Sequence, residues 1–290
     1  IYDWYWYDNR PFLENCLNDG FLNAENRESM QFYLMWANHD ANHCWSIDLS
    51  DDFANTVIWN GAVGRGAFET VVNRVVEKYF KQPNYYKIDG KPVFMIYDIV
   101  YLVDGLGGLD ETIEAFKWFE QETIKAGFPG LDLQIVIHGN NMNYSGVDGV
   151  KRYNDGNEFF NNLGFTSATH YQFAHFIWMD DEYDNIVKRA IKEWKDLDKD
   201  LDIPYYPHVS VGWDNSPRVK ESAVSRNNTP EKFQIALQAA KDYVDARPDL
   251  HPLITINSWN EWTETSYLQP DNVYGYGYLE AVRNVFGPAK

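Results

Sequence analysis

The sequence predicts an α/β fold built on a (β/α)₈ TIM barrel, and three observations lead there. Short β-branched or aromatic runs alternate with longer stretches of helical apolar spacing, which argues a parallel sheet covered by helices. Polar clusters follow the C-terminal ends of those runs rather than their starts, the asymmetry of a barrel whose site lies on its strand C-terminal face. The 290 residues contain no Pro/Ser/Gly-rich linker and no solenoid-length repeat, so residues 1–290 read as one large domain.

The first strand in view is 1–7 (IYDWYWY), ending at Asp8, and a helix-like segment follows at 11–24. The second is 31–37 (QFYLMWA), which runs into Asn38, His39 and Asp40, and residues 68–80 then space their apolar side chains as a helix does. Asp89, Gly90 and Pro92 set up a third strand at 93–97; the amphipathic helix after it, 109–126, is stopped by Gly127 and Pro129. A fourth strand at 133–137 is followed by His138, Asn140 and Asn141, then a short helix at 154–162. The fifth, 166–173, is more polar; its alternation puts His170 and Gln172 on one face and Tyr171 and Phe173 on the other. A helix over 182–197 leads to the sixth strand, 205–211, and to Gly212, Trp213, Asp214, Asn215 and Arg218. Pro230 opens the helix to 245, the seventh strand begins at 253 and ends near 258, and a last helix spans 276–285. Seven βα units stand where a barrel has eight. Either one strand is hidden in an irregular stretch or the first lies upstream of Ile1.

Composition narrows the partners. A formal charge of −18 argues against nucleic acid or an anionic membrane surface and is compatible with a neutral substrate. Aromatics make up 17% of the chain, with 11 Trp and 20 Tyr, more than a core needs when indole N–H and phenol O–H groups want partners. Such rings suit a carbohydrate. The two cysteines, Cys16 and Cys44, give neither a disulfide framework nor a metal spacing, and His43 has no carboxylate–His spacing beside it, so no metal and no cofactor is expected. No apolar run reaches membrane-spanning length, and the first residues are not a signal peptide, although a cleaved one could precede Ile1.

The stretch LITINSWNEWTETSYLQPD, 253–271, concentrates the chemistry. A strand gives way to Asn260, Glu261 and Glu264, flanked by Trp259, Trp262 and Tyr267. Two close carboxylates shift each other's proton affinity, the division that general acid/base work requires, and the rings offer faces for a sugar. A lone ExxE is more often a solvated loop; the strand end and the indoles raise this one above that reading. For the other strand-end residues the alternatives stay open. His138 serves a site or bonds a neighbouring loop, Tyr171 lines a pocket or packs, and Trp213 and Asp214 touch ligand or belong to the turn Asp214–Asn215–Ser216–Pro217 that Arg218 anchors to a carboxylate. Trp4 reads as core and Trp36 as core or site; Asp8 is placed to hold a hydroxyl.

Six blocks in one order carry a resemblance: YDWYWYDNRPFLE, YLMWANHD, YYKIDGKPVFMIYD, LGFTSATHYQF, VGWDNSPR and SWNEWTETSYLQPD. The chain resembles the WbsX-like proteins, relatives of glycoside hydrolase family 99, the endo-α-mannosidases. The resemblance implies a (β/α)₈ barrel with a strand and helix ahead of the first block. It implies a retaining hydrolase of an α-linked, mannan-like glycan in which Glu261 deprotonates the sugar's 2-hydroxyl and Glu264 protonates the leaving oxygen. Independently of the resemblance, a barrel's strand C-terminal face would bring substrate contacts from Asp8, Trp36, Asn38, His39, His138, Tyr171, Trp213, Asp214, Asn260, Trp262 and Tyr267 toward the pair. Many relatives carry WANE where His39 gives WANH, and Thr265 and Gln269 replace the Gly and acidic residue of EGxxLEPD, departures that bear on the substrate. The WbsX-like branch has a glycosyltransferase label, so a transferase of surface polysaccharide synthesis and a silent glycan-binding barrel are the alternatives. No Gly-rich phosphate loop follows a strand, which counts against a sugar-nucleotide site. A hydrolase would be secreted or periplasmic and a transferase cytoplasmic; oligomeric state is not legible.

Overall fold

The computed structural model describes residues 1–42, 56–139 and 156–288; His43, Cys44, Asn140 and Asn141 lie outside them. Seven strands occupy the places the apolar runs mark: β1 (Tyr2–Tyr7), β2 (Leu34–Trp36), β3 (Lys91–Ile96), β4 (Asp132–Val136), β5 (Ser167–Thr169), β6 (His208–Ser210) and β7 (Thr255–Asn257). The first five pair in chain order, and β1–β2, β2–β3 and β3–β4 are parallel. The last two form a parallel pair of their own. Among the described residues no helix is long and apolar enough to cross a membrane.

The chain divides into two compact units, the first holding β1 to β4 and the second β6 and β7, with the boundary falling within β5. In the first, register places Trp4, Trp36, Ile96 and Ile135 in one row across the sheet. The unit's helices are α1 (Arg65–Val75), α2 (Ile99–Leu106), α3 (Leu109–Lys125) and α4 (Gly156–Leu163), and the sheet meets α1 and α3 through aromatic pairs. Trp36 lies 6.2 Å from Phe68 of α1, and Phe94 lies 5.3 Å from Phe119 of α3. Aromatic pairs of this kind add about 0.5–1.5 kcal/mol each beyond their buried area. Glu14 is buried, and Trp4 Nε1 donates to it at 2.7 Å and Arg74 Nε at 2.8 Å. Burial pushes its carboxyl up, but the bonds from Arg74 and Trp4 outweigh that and hold it down at about 2.

Three local readings are corrected. The helix expected over 11–24 is replaced by a strand at Arg10–Phe12, a single wide turn at Cys16–Gly20 and a 3₁₀ turn at Phe21–Asn23. Leu13 at φ 58° and Pro11 in the strand break any continuous helix. Asp8 and Asn9, at φ 50° and 57°, form the two-residue turn joining β1 to that strand, with Tyr7 opposite Arg10. The fifth strand stops at Thr169 instead of reaching 173, because Phe173–His175 is a 3₁₀ turn. Alternation therefore fails there: His170, Gln172 and Phe173 are all buried and Tyr171 is half-buried. A helix that periodicity missed, α2, opens on Asp98, whose side chain accepts from Val100 N at 2.8 Å.

Close packing in α2 yields one prediction. A Cβ on Gly105 would lie 2.5 Å from Val63 N and 2.6 Å from Val63 O, both rigid backbone atoms. Gly105→Ala is expected to cost about 3 kcal/mol, read as a lower urea midpoint with unchanged slope; a midpoint equal to wild type would show that the segment yields freely.

The second unit packs α5 (Tyr183–Asp200), α6 (Pro230–Asp245) and α7 (Gly277–Phe286) around β6 and β7. Ile186, Ala190, Trp194 and Leu197 of α5, with Phe233, Leu237 and Ala240 of α6, form its apolar layer. Arg247 closes that layer by gripping Asp198 through two nitrogens and lying 3.6 Å over the Tyr243 ring.

Candidate active site

The site is built on the end of β7. Asn257, 2% exposed, accepts Gln172 Nε2 on its side chain at 2.9 Å, and its carbonyl accepts Val211 N and Ser266 Oγ, each at 2.9 Å. Ser258 Oγ donates to Ser266 O at 2.8 Å and accepts Glu261 N at 3.1 Å. This ties down a small hairpin in which Asn260 and Glu261 pair with Tyr267 and Ser266. Its tip is the 3₁₀ turn Trp262–Glu264, preceded by Glu261 and closed by Thr265 at φ 51°. The ExxE motif spans that turn, and both carboxylates come to one side of it, where each meets the same partner.

What they meet there is Arg218. Its Nη2 donates to Glu261 Oε1 at 2.6 Å, Nη1 to Glu264 Oε1 at 2.7 Å, and Nε to Thr263 Oγ1 at 2.8 Å. The side chains of Arg218 and Glu264 are 13% exposed and that of Glu261 29%, so solvent screens this triad far less than a surface pair. Glu264 O also accepts Asp214 N at 2.8 Å, which fastens the loop after β6 to the loop after β7. Gly212 allows that approach, since a Cβ there would lie 2.9 Å from Thr265 O.

Beside the triad, Trp262 stacks on Tyr267 with ring centroids 3.7 Å apart, its indole N–H donating to Gln269 Oε1 at 2.6 Å. Trp259 and Trp262 remain 53% and 45% exposed, the amphipathic faces a glycan ring can use. Tyr267 also borders a cavity of about 200 Å³ with Val211, Asn228, Tyr274 and Tyr278. Burial and then Asp271 push its phenol up.

The same unit holds further candidates. Asn260 is exposed at the hairpin edge, and Trp213 N donates to Ser225 Oγ at 3.1 Å. Asp214 accepts Ser216 N at 2.9 Å, the turn its sequence suggested. Exposed His138 stacks on His175 at 4.6 Å, with Tyr171 6.0 Å from His175. In the first unit, Asp8 is exposed beside Arg10 in its turn. Trp36 is 0% exposed among aromatic rings and presents no face to solvent. Asn38 locks β2 to the end of β3 by accepting Asp98 N at 2.9 Å, and His39 Nδ1 lies 2.8 Å from Asp40 O.

Sequence reading missed what Arg218 reaches and a buried polar chain: His208 Nδ1 lies 2.9 Å from Thr255 Oγ1, His208 Nε2 3.0 Å from Ser210 Oγ, and Thr255 Oγ1 2.9 Å from Thr169 Oγ1. Polar residues at strand positions 169, 208, 210 and 255 were its signal. Burial lowers the His170 imidazole to about 3 and puts that of His208 well below the usual range. Among the described residues no group of three or more His, Cys, Asp or Glu is arranged for a metal ion.

Parallel strands alternating with helices make this an α/β protein of (β/α)-barrel fold. Two structures of the GH99 endo-α-mannosidase from Bacteroides thetaiotaomicron share this fold. One, in complex with BIS-TRIS-Propane, gives a TM-score of 0.52 at 12% identity over 90% of this chain and 79% of that one. The other gives 0.53 at 12% identity over 90% and 76%. A glycoside hydrolase-like protein gives 0.54 at 16% identity over 89% and 71%. The family described as Glycosyltransferase WbsX matches residues 1–282, and the chain belongs to that family. A protein of Xanthomonas campestris pv. campestris named Uncharacterized protein WxcX is 33% identical over 101 residues, 32% of this chain. Its namesake from a second strain is 33% identical over 99 residues. The match spans 14% of the length of each.

Proposed function

We propose that the chain hydrolyses an α-linked, mannan-like glycan with retention, Glu261 acting as base and Glu264 as acid. The observation that carries this reading is the convergence of both glutamates on one guanidinium beside the Trp262–Tyr267 stack. In the first step Glu261 takes the proton of the 2-hydroxyl, O2 bonds to the anomeric carbon, and the glycosidic bond breaks as Glu264 protonates its oxygen. In the second, Glu264 accepts a proton from water, the hydroxide bonds to the anomeric carbon, the C1–O2 bond opens and Glu261 returns the proton to O2. Protons balance over the two steps and two carboxylates suffice. Within the second unit, His138, Tyr171, Trp213, Asp214 and Asn260 are proposed to shape the substrate's surroundings, with Trp262 and Tyr267 as the stacking face.

The family description favours a second reading, transfer of a sugar from a nucleotide donor onto a growing polysaccharide. The two separate cleanly by product. Reducing-end release is expected from a panel of α-linked bacterial, yeast and plant polysaccharides without any donor. Release from none, together with sugar incorporation from a nucleotide donor, would replace the hydrolase by the transferase.

A further inference from the structure

Arg218 reaches the two glutamates from the tip of an excursion between β6 and α6 whose base is fastened. Ser225 N donates to Trp213 O at 2.8 Å, Asp214 bridges Val224, and Asn215 N donates to Ser222 Oγ at 3.2 Å. Beyond that base, Ser216 and Pro217 are exposed and Arg218 N returns to Asn215 O at 2.8 Å. The guanidinium thus extends from a short solvent-facing turn across the pair, each of its three nitrogens bonded to the loop after β7.

Charge and hydrogen bonding limit what this clamp can be. Two ionised carboxylates held close repel, and one guanidinium leaves the triad with a net charge of about −1 instead of about −2. The Oε1 atom of each glutamate is occupied by an Arg218 nitrogen. A carboxyl group that carries a proton loses the charge-assisted part of its bond to arginine, so the clamp is strongest with both glutamates ionised and weakest when Glu264 is ready to donate.

We infer that Arg218 is a displaceable internal counter-ion: it orients Glu261 and Glu264 in the unliganded protein and yields Glu264 when a ligand occupies the pair. It is a positioning residue, and it makes the site selective against cations, because a cationic ligand must compete with a guanidinium already in place. The part concerning proton donation rests on the proposed hydrolysis; the competition between cations does not.

The probe is a trihydroxylated piperidine, protonated at pH 7, with the neutral tetrahydropyran of matching hydroxyls as control, both titrated calorimetrically. Arg218→Met is expected to bind the cation at least about 10-fold more tightly than wild type, with the neutral ring changed less than about 2-fold. Arg218→Lys, which keeps a charge at the turn, is expected to stay near wild type. Adding Glu264→Gln to Arg218→Met should reverse the gain. Circular dichroism checks the fold of each variant, and Arg218→Gln replaces the Met variant if that one does not fold. Unchanged, weaker or undetectable binding of the cation to the folded charge-removed variant overturns the inference. If wild type releases sugar, Arg218→Lys should also shift the pH profile of kcat while KM changes little. Absence of sugar release with the cation gain intact would sink the hydrolase and leave the counter-ion standing.

Discussion

Glu264→Gln should lower the rate of sugar release from a polysaccharide by about 10²–10⁴-fold, the usual contribution of a positioned acid, while sparing an aryl glycoside whose phenol leaves without protonation. Glutamine preserves volume and an acceptor for Arg218 Nη1, so the 3₁₀ turn and the contact at 2.7 Å can persist without the transferable proton. Glu261→Gln should instead depress both substrates, because removal of the 2-hydroxyl proton precedes departure of either leaving group. Thermal midpoints within about 2 °C of wild type would confine both effects to chemistry, since in a chain of this size a shift of that amount corresponds to a loss of only about 1 kcal/mol. Equal losses on the two substrates in Glu264→Gln would remove Glu264 from the acid's role. Full activity in either variant would remove the pair from the reaction.

Much of the frame was legible because strands buried on both sides must be apolar runs, and helices must bury a stripe. Hence 93–97 and 133–137 fall on β3 and β4, and Pro230–Asp245 begins where a proline at the first turn places it. Local competition explains the failures. Residues 11–24 contain enough leucine and phenylalanine to suggest a helix, yet Leu13 in the left-handed region and the buried Glu14 ask for a loop that turns one carboxylate inward. In α2 the run IVYLVDGL opens on five apolar or β-branched residues, so Val100 and Tyr101 mask the buried stripe of Ile99, Leu102, Val103 and Leu106 that packing and the Asp98 cap impose. The ExxE loop announced itself through composition. Its partner did not: Arg218 stands 43 residues before Glu261 in sequence, and nothing in a turn of Asn, Ser and Pro says which carboxylates its arginine will reach.

Acid should unfold the protein well before its carboxylates lose their partners. His170 and His208 are each 1% exposed, and both ring nitrogens of each are engaged, His170 with Tyr205 OH at 2.7 Å and Gly139 O at 3.0 Å. Burial disfavours the charged ring and each histidine feels its neighbours, His138 for His170 and His170 with His175 for His208. Above about pH 6.5 these rings are neutral folded or unfolded and contribute no pH dependence. Below it the unfolded chain takes up protons that the folded chain refuses, until the pH falls to about 3 for His170. Linkage then removes about 1.4 kcal/mol per pH unit for each ring that stays neutral, so His170 and His208 alone should lower stability by about 5 kcal/mol between pH 6 and 4, and His175, which burial also holds well below the usual range, adds to that. That is a large share of the total for a folded domain, about 5–15 kcal/mol. Glu14 acts lower: its contribution is complete above the ordinary carboxylate value of 4.5 and disappears as the pH falls through about 2. Urea midpoints at pH 7, 6, 5 and 4 measure the slope, and His208→Gln should reduce it by roughly a third. A midpoint that stays level from pH 6 to 4 would mean that the two rings accept protons in place, and that the chain Thr169–Thr255–His208–Ser210 admits charge where its geometry shows only neutral hydrogen bonds.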